Sequence, residues 1–108
     1  MKNFGKASVC AAVLLAMAGS ATAAEHVVAQ KGKAFSIKKL SVKLGDSVKF
    51  LNEDPFSHNV FSLSDAKSFD LGSYGQGSAK SITFDKAGTV EVECAVHPDM
   101  KLVIEVAK

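Results

Sequence analysis

Near its C-terminal end the chain runs Glu93-Cys94-Ala95-Val96-His97-Pro98-Asp99-Met100, which sets a thiol, an imidazole and a thioether at intervals of three. These are soft ligand types. Copper in electron-transfer sites is held by two imidazole nitrogens and one thiolate in a near-trigonal plane, with a long, weak axial thioether. Such a site needs a second histidine. His58 supplies one, in Asn52-Glu53-Asp54-Pro55-Phe56-Ser57-His58-Asn59-Val60, where a loop runs into a strand-like segment. Each residue also has a plainer reading. A single Cys is most often a buried structural thiol, and a single His58 or Met100 is most often a packing residue. A Cys–His nucleophile would need an orienting third group, and none is evident. Zinc takes Cys and His, but its structural sites use four strong ligands, and a thioether is a poor one. The four residues together outweigh the separate readings. His26 stands apart from them and is expected to be a solvated residue near the terminus.

The segments that must position these residues read as strands. Leu40, Val42 and Leu44 alternate with Ser41 and Lys43, and Gly45-Asp46 marks a turn. Val48 and Phe50 alternate with Ser47 and Lys49. Val27-Val28, Phe35-Ser36-Ile37, Val60 to Leu63 and Ile82 to Phe84 are shorter runs of the same kind. Thr89 to Cys94 alternates strictly after Lys86-Ala87-Gly88, and Leu102, Ile104 and Val106 face one way beyond the cluster. Period-2 segments split by turn residues predict an antiparallel β-sandwich or barrel. Residues 64–78 are the least regular, with a short helical turn expected around Asp65-Ala66-Lys67 and a loop at Gly72 to Gly77. The Cys-His-Met run would then lie between two strands that fix its ends.

The first residues read differently. Lys2 and Lys6 precede an apolar run from Ala7 to Ala18, followed by small residues with an A-x-A pattern at Ala21-Thr22-Ala23. This is the layout of a cleaved secretory signal peptide, and the apolar run falls short of the ~20 residues a membrane span requires. We expect residues 1–23 to be the leader, cut after Ala23 or Ala24, and residues 24–108 to form a single domain with no membrane span. Lys2 and Lys6 leave with it, so the 13 basic residues become 11 against 11 acidic ones. That balance lacks the basic excess of a nucleic-acid binder. Cys10, Met1 and Met17 leave too, so Cys94 and Met100 are the Cys and Met that remain. A lone exported thiol cannot form an internal disulfide and is open to oxidation unless buried or bound. A cut after Ala23 would also make His26 the third residue, and its imidazole, two amides and the terminal amine could form a square-planar nitrogen set for Cu(II) or Ni(II).

The chain resembles the cupredoxins, small type 1 blue copper proteins, and within them the amicyanin/pseudoazurin/plastocyanin group. The resemblance covers essentially all of residues 24–108. It rests on "VKLGDSVKFLNED" (Val42 to Asp54), on His58-Asn59-Val60, and on the amicyanin-type loop Cys94-x2-His97-Pro98-x-Met100. It implies an all-β, antiparallel Greek-key β-sandwich, one type 1 copper, and His58, Cys94, His97 and Met100 as its ligands. Asn59 would brace the Cys loop, with an amide able to donate to the thiolate. Pro98, which has no N–H, would leave that sulfur with fewer hydrogen bonds. It further implies a monomeric periplasmic protein that is not an enzyme. It would pass single electrons between redox proteins, such as a c-type cytochrome or an amine dehydrogenase, through His97 near the surface. The alternative is a periplasmic copper carrier or buffer that transfers metal. Two positions depart from the usual loop: Leu102 stands where Gly is common, and Asp99 puts a carboxylate where an apolar docking patch is usual.

Overall fold

The computed structural model describes residues 22–108, and the expected leader lies almost wholly outside them. Eight strands follow in order: β1 (Glu25–Gln30), β2 (Lys39–Lys43), β3 (Ser47–Asn52), β4 (His58–Ser64), β5 (Lys67–Tyr74), β6 (Ala79–Thr83), β7 (Gly88–Cys94) and β8 (His97–Ala107). They form a three-stranded sheet, β1-β3-β6, and a five-stranded sheet, β2-β8-β7-β4-β5. Among the described residues there is no helix.

Alternation decides which side chains meet between the sheets, because successive residues of a strand point to opposite faces. Val48, Phe50 and Asn52 of β3 point inward, as do Val90, Val92 and Cys94 of β7 and Met100, Leu102, Ile104 and Val106 of β8. Phe35, Phe50, Phe69 and Phe84 stack in a chain through this core, with neighbouring ring centroids 6.2–6.5 Å apart. Removing a fully buried ring such as Phe50 or Phe84 from a core of this kind costs about 3–5 kcal/mol. Leu102 is one of these core residues, paired with Val92 across the β7–β8 hairpin.

The turn expected at Gly45-Asp46 is present. Asp46 N–H donates to the Lys43 carbonyl at 2.9 Å, and Gly45 takes a φ of 92°, which suits glycine at the third position of a type II turn. Four readings need correction. The pairing is not wholly antiparallel: β1 runs parallel to β3, and β2 parallel to β8. Residues 64–67 make no helical turn, because Asp65-Ala66 is the tight turn of the β4–β5 hairpin. Gly72, Ser73 and Tyr74 belong to β5, with the turn following them. Phe35-Ser36-Ile37 forms only a bridge, Gln30 to Phe35, because Phe35 is used as an anchor against Phe50.

Candidate metal centre

The inward stripes of β4, β7 and β8 end at one pole of the sandwich, and the candidate ligands lie at those ends. His58 precedes Val60 and Ser62 on the inward face of β4. Cys94 follows Val90 and Val92 on β7, and Met100 opens the inward stripe of β8. His97 lies on the other parity. It enters because the β7–β8 register shifts between Glu93 and Cys94, so that Cys94 faces His97 at the mouth of the hairpin. A second bulge, between Asn59 and Phe61, lies beside His58. Bulges re-aim side chains in this way next to functional sites.

The result is a convergent donor set. Cys94 Sγ lies 3.6 Å from His58 Nδ1 and 3.8 Å from His97 Nδ1. All three donor atoms fall within 4.8 Å of one another. First-row metal bonds of about 2.0–2.3 Å, opened to roughly 120°, separate sulfur from nitrogen by roughly 3.7 Å, so the spacing fits one ion in a near-trigonal plane. Two imidazoles and a thiol suit copper, not the oxygen-seeking cations. His58 and Cys94 are buried, and His97 is half-buried. Met100 is 1% exposed at the same pole.

His58 is fastened from behind. Its Nε2 lies 2.6 Å from Asp54 Oδ2, which leaves Nδ1 for the site. Asp54 accepts main-chain N–H bonds from Gly32 and Lys33, at 2.7 and 3.1 Å. Its own N–H donates to Asn52 Oδ1, while Asn52 Nδ2 donates to the Phe56 and Tyr74 carbonyls. Burial acts most strongly on Asp54 and raises its pKa. The hydrogen bonds from His58, Gly32 and Lys33 together outweigh it and hold the carboxyl below the ordinary 3.8. Tyr74 pairs with His58 across β4–β5. Its hydroxyl donates to Gln30 Oε1 at 2.6 Å; burial first, then the charge of Cys94, pushes its pKa up and keeps it protonated.

Asn59 acts through its backbone. Its N–H points at Cys94 Sγ at 3.5 Å and its carbonyl accepts from Ala95 N–H at 3.2 Å. Its side chain instead reaches Asp70, at 3.4 Å. Pro98 and Asp99 are exposed at the start of β8. Phe56 packs against both imidazoles, with centroids 5.4 Å from each. Sequence reasoning assigned no role to Asp54, Asn52 or Phe56. The signal for Asp54 was an acidic residue one loop-turn before His58.

His26 is not the solvated residue expected. It sits in β1, partly buried, with Nε2 3.0 Å from Asp46 Oδ2. Glu25 and His26 are extended against β3 and the imidazole is turned to Asp46, so a square-planar nitrogen set at a free Ala24 terminus would require His26 to leave Asp46.

Residues 22–107 match the family of copper binding proteins, plastocyanin/azurin family. The chain belongs to this family, the cupredoxins. Copper is its cofactor. The chain is similar to chloroplastic plastocyanin of Physcomitrium patens, at 35% identity over 99% of this chain and 71% of that one. It is similar to amicyanin of Paracoccus denitrificans, at 32% identity over 66% of this chain and 58% of the relative. Among solved structures, an amicyanin variant with methionine changed to alanine, in the Cu(I) state, superposes with a TM-score of 0.71. That match has 27% identity and covers 76% of this chain and 81% of that one. A copper-containing nitrite reductase from Thermus scotoductus SA-01 gives 0.73 at 29% identity, over 78% of this cupredoxin but only 22% of the reductase.

Proposed function

We propose that this cupredoxin is an exported carrier of single electrons between redox proteins, with His58, Cys94, His97 and Met100 as its copper ligands. The observation that carries the reading is the contrast within the donor set. Two donors are buried and fastened, and one, His97, reaches the surface. Copper supplies the Cu(II)/Cu(I) couple. The chain supplies a fixed site: Asp54 orients His58, the hairpin mouth holds Cys94 against His97, and the core stripes keep water from the thiolate. Donors that do not move between oxidation states keep reorganisation small. His97, flanked by exposed Val96 and half-exposed Phe56, is the port through which an electron leaves or enters. No substrate is turned over, so the protein is not an enzyme.

Export rests on the leader at residues 1–23, and the periplasm is the compartment we assign. The protein works as a monomer, and its partners are redox proteins, such as a c-type cytochrome or an amine dehydrogenase. Transient docking of that kind uses a small interface. Adding Cu(II) should give an intense blue thiolate-to-copper band that Cys94→Ser abolishes. Electron self-exchange should be fast while copper is lost slowly to an acceptor apo-protein. Rapid loss of copper to the acceptor would instead identify a metal carrier.

A further inference from the structure

At the pole opposite the copper donors, Asp46 gathers three donors. Its Oδ1 accepts the Ala24 N–H at 2.9 Å. Its Oδ2 accepts the Lys43 N–H at 2.9 Å and faces His26 Nε2 at 3.0 Å. The residue is buried at 6% exposure. The Ala24 carbonyl accepts from Ser47 N–H at 3.0 Å, and the Asp46 carbonyl from Phe84 N–H at 2.9 Å. The ionisable groups in contact with the carboxylate are thus His26 and, once the leader is removed, whatever charge the chain carries at Ala24. Lys43 contributes its backbone.

We propose that Asp46 is the receptor for the amino terminus made by cleavage after Ala23, with the Ala24 α-ammonium replacing its amide against Oδ1. The inference rests on the leader removal proposed above and goes beyond it by selecting the bond. A cut after Ala24 deletes both the donor to Asp46 and the acceptor for Ser47, whereas a cut after Ala23 keeps both and adds a charge. The amide bond to the carboxylate is already charge-assisted; an ammonium in its place adds a direct attraction between opposite charges. Chain ends fray unless tied down, and this end has consequences elsewhere. β1 runs from Asp46 to the opposite pole, where the Gln30 carbonyl accepts from Glu53 N–H and the residues just beyond give Asp54 its Gly32 and Lys33 donors. The latch at Ala24 therefore secures the strand that leads to the brace behind His58.

The test uses the exported, copper-loaded, reduced protein. Mass spectrometry reads the terminus, and NMR follows the Ala24 methyl through an alkaline titration. The expected terminus is Ala24, with an amine that titrates above the usual ~7.7–8.0 and returns to the usual range in Asp46→Asn. If Asp46→Asn does not fold, a chain that keeps Ala23 moves the ammonium one residue away and should show the usual value. A terminus at Glu25, or an Ala24 amine at the usual value, overturns the latch and leaves export standing. An unprocessed leader overturns both.

Discussion

Asp54 Oδ2 lies 2.6 Å from His58 Nε2, on the far side of the imidazole from Cys94. A carboxylate in that position fixes the tautomer and makes the ligand more basic.

Asp54→Asn should therefore weaken copper binding by about 10–100-fold, the usual consequence of losing such a partner. It should also raise the reduction potential, since a neutral brace favours Cu(II) less. Competition against a chelator reads the first and voltammetry the second. An unchanged potential would show that the brace is only structural.

Asp99 is exposed two residues after His97. Its charge would favour Cu(II) and a basic partner in the proposed role, and surface charges act mainly on association rate. Asp99→Phe should raise the potential modestly and flatten the salt dependence of electron transfer with a basic partner. A steep slope retained in the variant would place the docking charge elsewhere.

Gly88 opens β7 at φ 143°, and a Cβ there would stand 2.9 Å from Ala66 Cβ. Gly88→Ala should cost about 1–3 kcal/mol, read from urea unfolding. Adding Ala66→Gly removes the contact but not the backbone strain, so it should restore only part of the loss.

Hydrogen bonds from His26, then from Lys43 and Ala24, lower the Asp46 carboxyl from 3.8 to about 2. A carboxyl depressed by folding contributes stability that is complete above its unfolded value. That stability is lost as pH falls through its folded one. Stability should thus decline between pH 3.8 and about 2, and Asp46→Asn should flatten the decline. Urea midpoints measured across that window check it.

How much of this was legible varies by element. β3 and β7 were plain, since Val48-Lys49-Phe50 and Val90-Glu91-Val92 alternate without interruption. β5 was hidden because it is an edge strand with Gly72 inside it and only intermediate burial for Phe69 and Leu71. The parallel pairs β1–β3 and β2–β8 leave no local mark, since direction is set by the path of the chain between strands. The four candidate ligands could be picked out by type and spacing. Asp54 could not, because its role depends on Gly32 and Lys33 being carried to it by a strand distant in sequence. Asn59 was expected to brace the Cys94 loop through an amide; the group aimed at Cys94 is its main-chain N–H, while the side chain pairs with Asp70.

Cys94, His97 and Met100 all ride on the mouth of a single hairpin, while His58 opens β4 and is held from behind by Asp54 of the β3–β4 loop. The two kinds of traffic through this pole therefore face unequal doors. In the proposed role, an electron would cross at the half-buried edge of His97 with every strand in place. An ion would instead be gripped from two parts of the fold at once, the hairpin mouth and the braced His58. In the proposed role, a grip shared between two parts of the fold would let many electrons pass for each ion that is exchanged.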